Sequence, residues 1–239
     1  MNNLGQTRSA RALDHLLLTP DSFVRAPLPG MKGATAIVHI SPALGARFTQ
    51  YTAEFEPGGS LLPAVDQRFV YVLDGTLVVG GQKVSAGSCA YLPPGDQTAV
   101  HAVDAARAEV FEKPYVALAG TPAPKAFTSH ESQSAVTLLN GDPDLEVRGL
   151  VPDDAAWDFR VNTMTYRPGA ALPAVEIHVM EHGLLMLDGG GIYRLGDRWY
   201  PVGAGDVIWM AAYCPQWFGA IGKKPARYLI YKDWDRRPR

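Results

Sequence analysis

Hydrophobic and polar positions along this 239-residue chain alternate in short runs, and the runs come in two matched sets. Phe48 to Val65 reads FTQYTAEFEPGGSLLPAV, and Phe159 to Val175 reads FRVNTMTYRPGAALPAV. Each is an alternating stretch, a Pro-Gly pair, a turn of small residues and then Pro-Ala-Val; the two differ in length by one residue. Alternation with a period of two predicts strands with one buried face. Both copies go on to a Leu-Asp-Gly turn (Leu73-Asp74-Gly75 and Leu187-Asp188-Gly189) and a short strand. Each then gives a second Gly-led strand, AGSCAYLPPGDQ from Ala86 and AGDVIWMAAYCPQ from Ala204. A self-similar period of this kind predicts two related all-β modules. The expected division is 1–115 for an N-terminal arm and a first module, 116–135 for a linker, and 136–239 for a second module.

The connecting stretches carry less pattern. Residues 1–20 read as an arm with one helical turn before Pro20, and FVRAPLPG and ATAIVHISPALGARF as strands split by Pro-Gly punctuation. His39, among Ile37, Val38 and Ile40, is expected to be a strand residue without chemistry. The proline-bearing polar run TPAPKAFTSHESQS reads as the linker, with His130 solvated in it.

Composition narrows the class. Twenty-four glycines and nineteen prolines suit many short strands better than long helices. The formal net charge of -2 argues against nucleic acid or an anionic membrane as partner. No apolar run has transmembrane length, and no charged-then-apolar leader opens the chain. Two cysteines, Cys89 and Cys214, are too few for a disulfide framework, so a reduced cytoplasmic setting is expected.

The chemistry concentrates in PAVEIHVMEHGLLMLDGGG, from Pro173 to Gly191. Glu176, His178 and His182 stand at even spacings, which on an extended strand puts one carboxylate and two imidazoles on one face. The same run contains H-x-x-E-H, His178 to His182, which on a helix would be a zinc-peptidase motif with Glu181 as base. Pro173, the β-branched Val175, Ile177 and Val179, and the glycines from Gly189 argue for a strand instead. Gln216 reads either as an ordinary turn residue or, in a closed barrel, as an amide oxygen opposite the Glu-x-His pair. Two imidazoles, a carboxylate and an amide form a mixed nitrogen and oxygen set without thiolate. Such a set favours six-coordinate Mn²⁺ or Fe²⁺ over tetrahedral structural zinc. Cys214 is read as packing.

On the last strand Tyr228, Ile230 and Lys232 share a face, so Lys232 reads either as an exposed edge residue or as an inward ammonium that would, with the phenol, serve an anionic substrate group. Tyr193 reads either as a pocket residue or as a packed strand tyrosine. The first copy has Asp66-Gln67-Arg68 after its Pro-Ala-Val and Thr98 where the second has Gln216. His101 falls off the site, so the first module reads as a partner without metal.

These residues carry a resemblance. The two-copy arrangement is similar to a bicupin, two tandem β-barrels of the double-stranded β-helix or jelly-roll type. LLTPDSFV, SPALGARF, the Glu-x-His-x-x-x-His run, GIYRLGDRWYPVGAGDVIWMA, PQW and YLIYKD resemble the (S)-ureidoglycine aminohydrolase family. The general cupin pattern has a histidine where Glu176 and Gln216 stand and a glutamate where His182 stands. That permutation looks like this family's own. The resemblance implies an Mn²⁺ site (Fe²⁺ or another divalent ion in its place) of Glu176, His178, His182 and Gln216. It also implies substrate contacts from Tyr193, Tyr228 and Lys232, the last two as catalytic candidates. A ureido carboxylate substrate, no nucleic-acid or membrane partner, and a homo-oligomer are the matching expectations. The alternatives are another metal-dependent cupin enzyme, a dioxygenase or isomerase on a small carboxylate, and a non-enzymatic small-ligand-binding cupin.

Overall fold

The computed structural model describes residues 7–234 and 236. It is all-β, and the paired strands run antiparallel. The chain divides into two compact units. One comprises Val24–Ser134 with Asp153–Asp158 and Arg236; the other takes the N-terminal segment through Phe23, Ala135–Pro152, and the chain from Phe159 through Trp234.

In the first of these, Met31–Ile40 pairs with Thr49–Leu61. The sheet runs from there through Ala106–Lys113 and Gln67–Asp74 to Ser88–Leu92. Val100–Ala102, Thr76–Val79 and Gln82–Ser85 continue it from the other side of Thr49–Leu61. The alternation read in the sequence is what this sheet buries: Tyr51, Ala53 and Phe55 enter one apolar cluster with Val70, Val72, Ala108 and Val110.

The second unit repeats the plan. His182–Asp188 lies between Val207–Met210 and Ala226–Asp233, and Phe159–Tyr166 follows on the far side of the latter. A three-stranded sheet of Arg198–Gly203, Gly190–Leu195 and Gln216–Ala220 closes the barrel's other wall. Met164, Tyr166, Leu184, Met186, Ile208, Phe218 and Tyr228 fill the interior. Both Leu-Asp-Gly turns need their glycine. Gly75 and Gly189 have φ of +74° and +66°, and a Cβ would run into the backbone of Ala106 or Ala226 respectively.

Four local expectations are corrected. The arm is strand, not helix: Ala10–Arg11 pairs with His15–Leu18, which in turn pairs with Val207–Met210. The short helix falls at Pro20–Ser22 instead. By contact, the arm belongs with the second unit, because that pairing extends the second unit's sheet. Residues 1–6 of it lie outside the described residues. The linker contains the strand Phe127–His130, paired to Ser88–Leu92, with Phe127 stacked on Tyr91 at 6.1 Å between centroids. His130 is partly buried and caps the short helix Glu131–Gln133. Finally, 173–181 is not a strand; regular structure resumes only at His182. Among the described residues no helix is long and apolar enough to cross a membrane.

Candidate metal centre

The segment bearing Glu176 and His178 is irregular, yet it is pinned. Glu176 and Gln216 exchange both backbone hydrogen bonds, at 2.8 and 3.0 Å, which clips the loop to the start of strand Gln216–Ala220. The carbonyl of His178 accepts from the Tyr213 N–H at 2.7 Å. Tyr213 holds φ of +64°, a left-handed conformation that costs a non-glycine residue energy and shapes the turn before Gln216. His182 stands on a strand, opposite Met210 on one side and Lys232 on the other. Convergence therefore comes from a loop clipped onto a barrel, not from one face of a single strand.

The side chains meet at His178 Nε2. His182 Nε2 lies 3.3 Å from it, the Gln216 side-chain amide 2.8 Å and Glu176 Oε2 4.0 Å. Glu176, His178, His182, Gln216, Tyr193, Tyr228 and Lys232 all line one cavity of about 110 Å³. The apolar Met164, Leu172 and Ile230 complete its walls. Glu181 is not among the lining residues; it is buried and accepts from Trp209 Nε1 at 2.7 Å. With no helix through His178 to His182, the peptidase geometry is absent from the described residues.

The set fits a divalent cation. The two imidazole Nε2 atoms face each other at 3.3 Å, and as the side chain stands the Gln216 amide N–H donates to His178 Nε2 at 2.8 Å. Ligands about 2.1 Å from a six-coordinate ion stand about 3.0 Å apart when adjacent and about 4.2 Å when opposite. The observed 2.8, 3.3 and 4.0 Å fall within about 0.2 Å of that range. The amide of Gln216 presents its nitrogen here, and its oxygen after a half-turn about the terminal torsion. Burial, then the charge of Lys232 and the neighbouring His178, pull His182 well below the ordinary imidazole pKa. It is thus held neutral, the form that binds metal. The Nε2 atoms of both histidines are the ones that face each other, and His178 Nε2 faces Gln216.

The other titratable groups that line the cavity are shifted by the same burial. Tyr193 and Tyr228 are raised well above the ordinary phenol, first by desolvation, then by neighbouring tyrosines and Glu176. Both keep their protons at neutral pH. Burial lowers Lys232, and Glu176 opposes the shift.

Two features escaped the sequence reading. Tyr166, at the end of strand Phe159–Tyr166, is buried with its hydroxyl 2.7 Å from that of Tyr228. In sequence it is one more core aromatic in an alternating strand. The second feature is Asp14, His15 and Cys214, whose ligand atoms lie within 4.8 Å of one another. His15 Nδ1 meets Asp14 at 2.8 Å and Nε2 meets Tyr200 Oη at 2.8 Å, while burial pushes the Cys214 thiol up to about 12. Both ring nitrogens are satisfied, so this cluster anchors the arm to the turn before Gln216.

A cupin-domain model matches residues 162–231. An (S)-ureidoglycine aminohydrolase of Arabidopsis thaliana is 41% identical over 98% of this chain and 80% of its own length. The Escherichia coli K12 enzyme of the same name is 30% identical over 92% of this chain and 88% of its own. A crystal structure of a putative glyoxylate-induced protein from Pseudomonas aeruginosa superposes with a TM-score of 0.88 at 30% identity. It covers 100% of this chain and 95% of its own. Bacillus subtilis oxalate decarboxylase, a protein with Mn(II) centres, shares the fold alone, at a TM-score of 0.70 and 12% identity over 97% of this chain and 80% of its own. On these relatives and this architecture, the chain belongs to the (S)-ureidoglycine aminohydrolase family of cupin proteins, enzymes acting on a carbon–nitrogen bond.

Proposed function

We propose that this protein is a manganese-dependent (S)-ureidoglycine aminohydrolase. It would convert (S)-ureidoglycine and water to (S)-ureidoglycolate and ammonia during breakdown of purine-derived ureides. The observation that carries the reading is the convergence of Glu176, His178, His182 and Gln216 in one small cavity that Lys232, Tyr193 and Tyr228 also line. Two of the relatives bear the same activity in their names.

Glu176, His178, His182 and Gln216 would hold the cation, which when bound supplies Lewis-acid polarisation and a point of chelation. The chain's own groups do the rest. Lys232 offers an ammonium to the substrate carboxylate, a charge-assisted contact that fixes which face of the α-carbon is presented. The hydroxyls of Tyr193 and Tyr228 are protonated and reach the cavity, so they can hydrogen-bond the ureido group or the nitrogen that leaves. Met164, Leu172 and Ile230 limit the water that enters. In the overall change the bond from the α-carbon to the amine nitrogen breaks and a bond to the water oxygen forms. The water proton ends on the departing ammonia.

The test is ammonia release from freshly generated (S)-ureidoglycine, counted above the protein-free decay, with chelated protein and with Mn²⁺ restored. Manganese-dependent release with (S) product is expected. No excess release from protein shown to hold the metal would remove the aminohydrolase reading. Oxygen uptake by the iron-loaded form would instead favour a dioxygenase.

A further inference from the structure

We propose that Tyr166 is a positioning residue for Tyr228, fixing the Tyr228 hydroxyl as a hydrogen-bond donor into the cavity. The inference rests on the site described above and names a part for a side chain that does not line it.

Proton counting carries the argument. Tyr166 is fully buried, and its hydroxyl has one hydrogen-bond partner among the described residues, Tyr228 Oη at 2.7 Å. A single O–H···O bond links two hydroxyls, so one donates and the other accepts. If Tyr228 donated, the Tyr166 proton would have no hydrogen-bond acceptor among the described residues and would lie off the cavity, beside Phe218 edge-on at 4.9 Å. A buried unsatisfied donor costs about 1–3 kcal/mol. If Tyr166 donates, its proton is used and Tyr228 accepts, leaving the Tyr228 proton to turn toward the cavity that Tyr228 lines. The second arrangement uses the Tyr166 proton inside the core and leaves the Tyr228 proton facing the cavity, where a ligand can accept it. It presents a polarised O–H to the substrate's carbonyl or carboxylate oxygen, or to the nitrogen that leaves.

The other unit supplies an internal control. Tyr166 pairs with Ala226, and the register equivalent in the first module is Phe55, paired with Ala106. Tyr228, opposite Met186, corresponds there to Ala108, opposite Val72. The module without the histidine cluster therefore has neither hydroxyl. Phenylalanine at the Tyr166 position packs into the same kind of core, since Phe55 is buried in its cluster.

The experiment compares Tyr166→Phe, Tyr228→Phe and the double variant in metal-loaded protein. Tyr166→Phe should keep metal content and melting temperature and lower kcat roughly 10-fold with KM little changed, the size of one net hydrogen bond. In the Tyr228→Phe background the same change should have no further effect on kcat. A further loss there would show that Tyr166 acts through packing and would overturn the proposal, as would wild-type kcat in Tyr166→Phe. A readout independent of turnover is the tyrosine Cζ resonance of Tyr228, which moves in opposite directions when a hydroxyl gains a donor and when it gains an acceptor. Tyr166→Phe should move it as for loss of an accepted bond; the opposite sign overturns the proposal. Absence of ureidoglycine turnover in the wild type would sink the proposed function, while the resonance shift would still decide the hydroxyl orientation.

Discussion

The two barrels put opposite solutions at the same place in the fold. In the second, His182 stands opposite Lys232 and Met210; at the matching register of the first, Arg68 stands opposite Glu112 and Leu92. Arg68 Nε donates to Glu112 Oε1 at 2.6 Å, Tyr51 donates to the same oxygen at 3.0 Å, and a second Arg68 nitrogen reaches the Leu62 carbonyl at 2.8 Å. The first module thus closes its charge on itself. The second sets two imidazoles and an amide against one another at 2.8 to 3.3 Å and places Lys232 beside them without an ion pair among the described residues. Tyr193 and Tyr228 correspond by register to Val79 and Ala108, so the hydroxyls go missing with the ligands. What sets the second module apart is a group of polar side chains that the fold gathers around one cavity.

The most severe way to break the comparison is to install the first module's solution in the second. His182→Arg with Lys232→Glu should form the ion pair, exclude the metal and lower activity at least ~100-fold, more than typical losses from groups behind metal ligands. Metal content by mass spectrometry and the unfolding midpoint check this together. Retained stoichiometric metal would show that His182 is no ligand. Lys232→Met is milder: metal stays, and KM rises roughly 10- to 100-fold for loss of one charged hydrogen bond. Wild-type kinetics in that variant would take Lys232 out of substrate binding.

The converse change sharpens the contrast. Arg68→Met removes one partner of a pair whose side chains are 7% and 24% exposed. It should cost about 1–3 kcal/mol of stability, measured by urea unfolding, and leave turnover per folded molecule unchanged. A folded Arg68→Met protein with lost turnover would mean the first module takes part in the chemistry.

How much of this was readable beforehand depends on whether the signal is local. The duplication, the shared face of Tyr228 and Lys232, and Gln216 across from Glu176 all follow from strand periodicity and a repeat. The loop at 173–181 did not, because even spacing along alternating apolar residues reads as strand whether or not a neighbouring strand exists to pair with it. Here the partner is a single bridge to Gln216. The arm was missed for a similar reason. HLLL is strand only because Val207–Met210, almost two hundred residues away, offers its edge. Tyr166 carries no local mark at all; its importance shows only when Phe55 is set beside it.

The smallest expected effect concerns the outer face of the same strand pair. Next to Tyr228 stands Leu229; at the equivalent register of the first module stands Glu109, fully buried. Its carboxylate accepts from Gln50 at 2.7 Å and from Thr52 at 2.7 Å, and His39 lies 4.0 Å away. Burial outweighs these bonds and the charge of Arg107 and pushes Glu109 up to about 7. His39 is itself pushed down to about 3, first by burial and then by Arg107, so it is neutral and cannot pair with the carboxylate. An acid whose folded pKa is raised binds its proton more tightly folded than unfolded. Its contribution to stability is then greatest below the ordinary value of about 4.5 and is lost as pH climbs to about 7. Glu109→Gln keeps an oxygen for Thr52 and removes the titration. Unfolding free energies of the two proteins should therefore diverge between pH 5 and 7 with a slope of at most about 1.4 kcal/mol per pH unit, the variant gaining, and run parallel above. Curves parallel throughout would mean that Glu109 is ionised in the fold at ordinary pH. The buried acid would then be held by its hydrogen bonds, and the outer faces of the two modules would differ in polarity but not in proton binding.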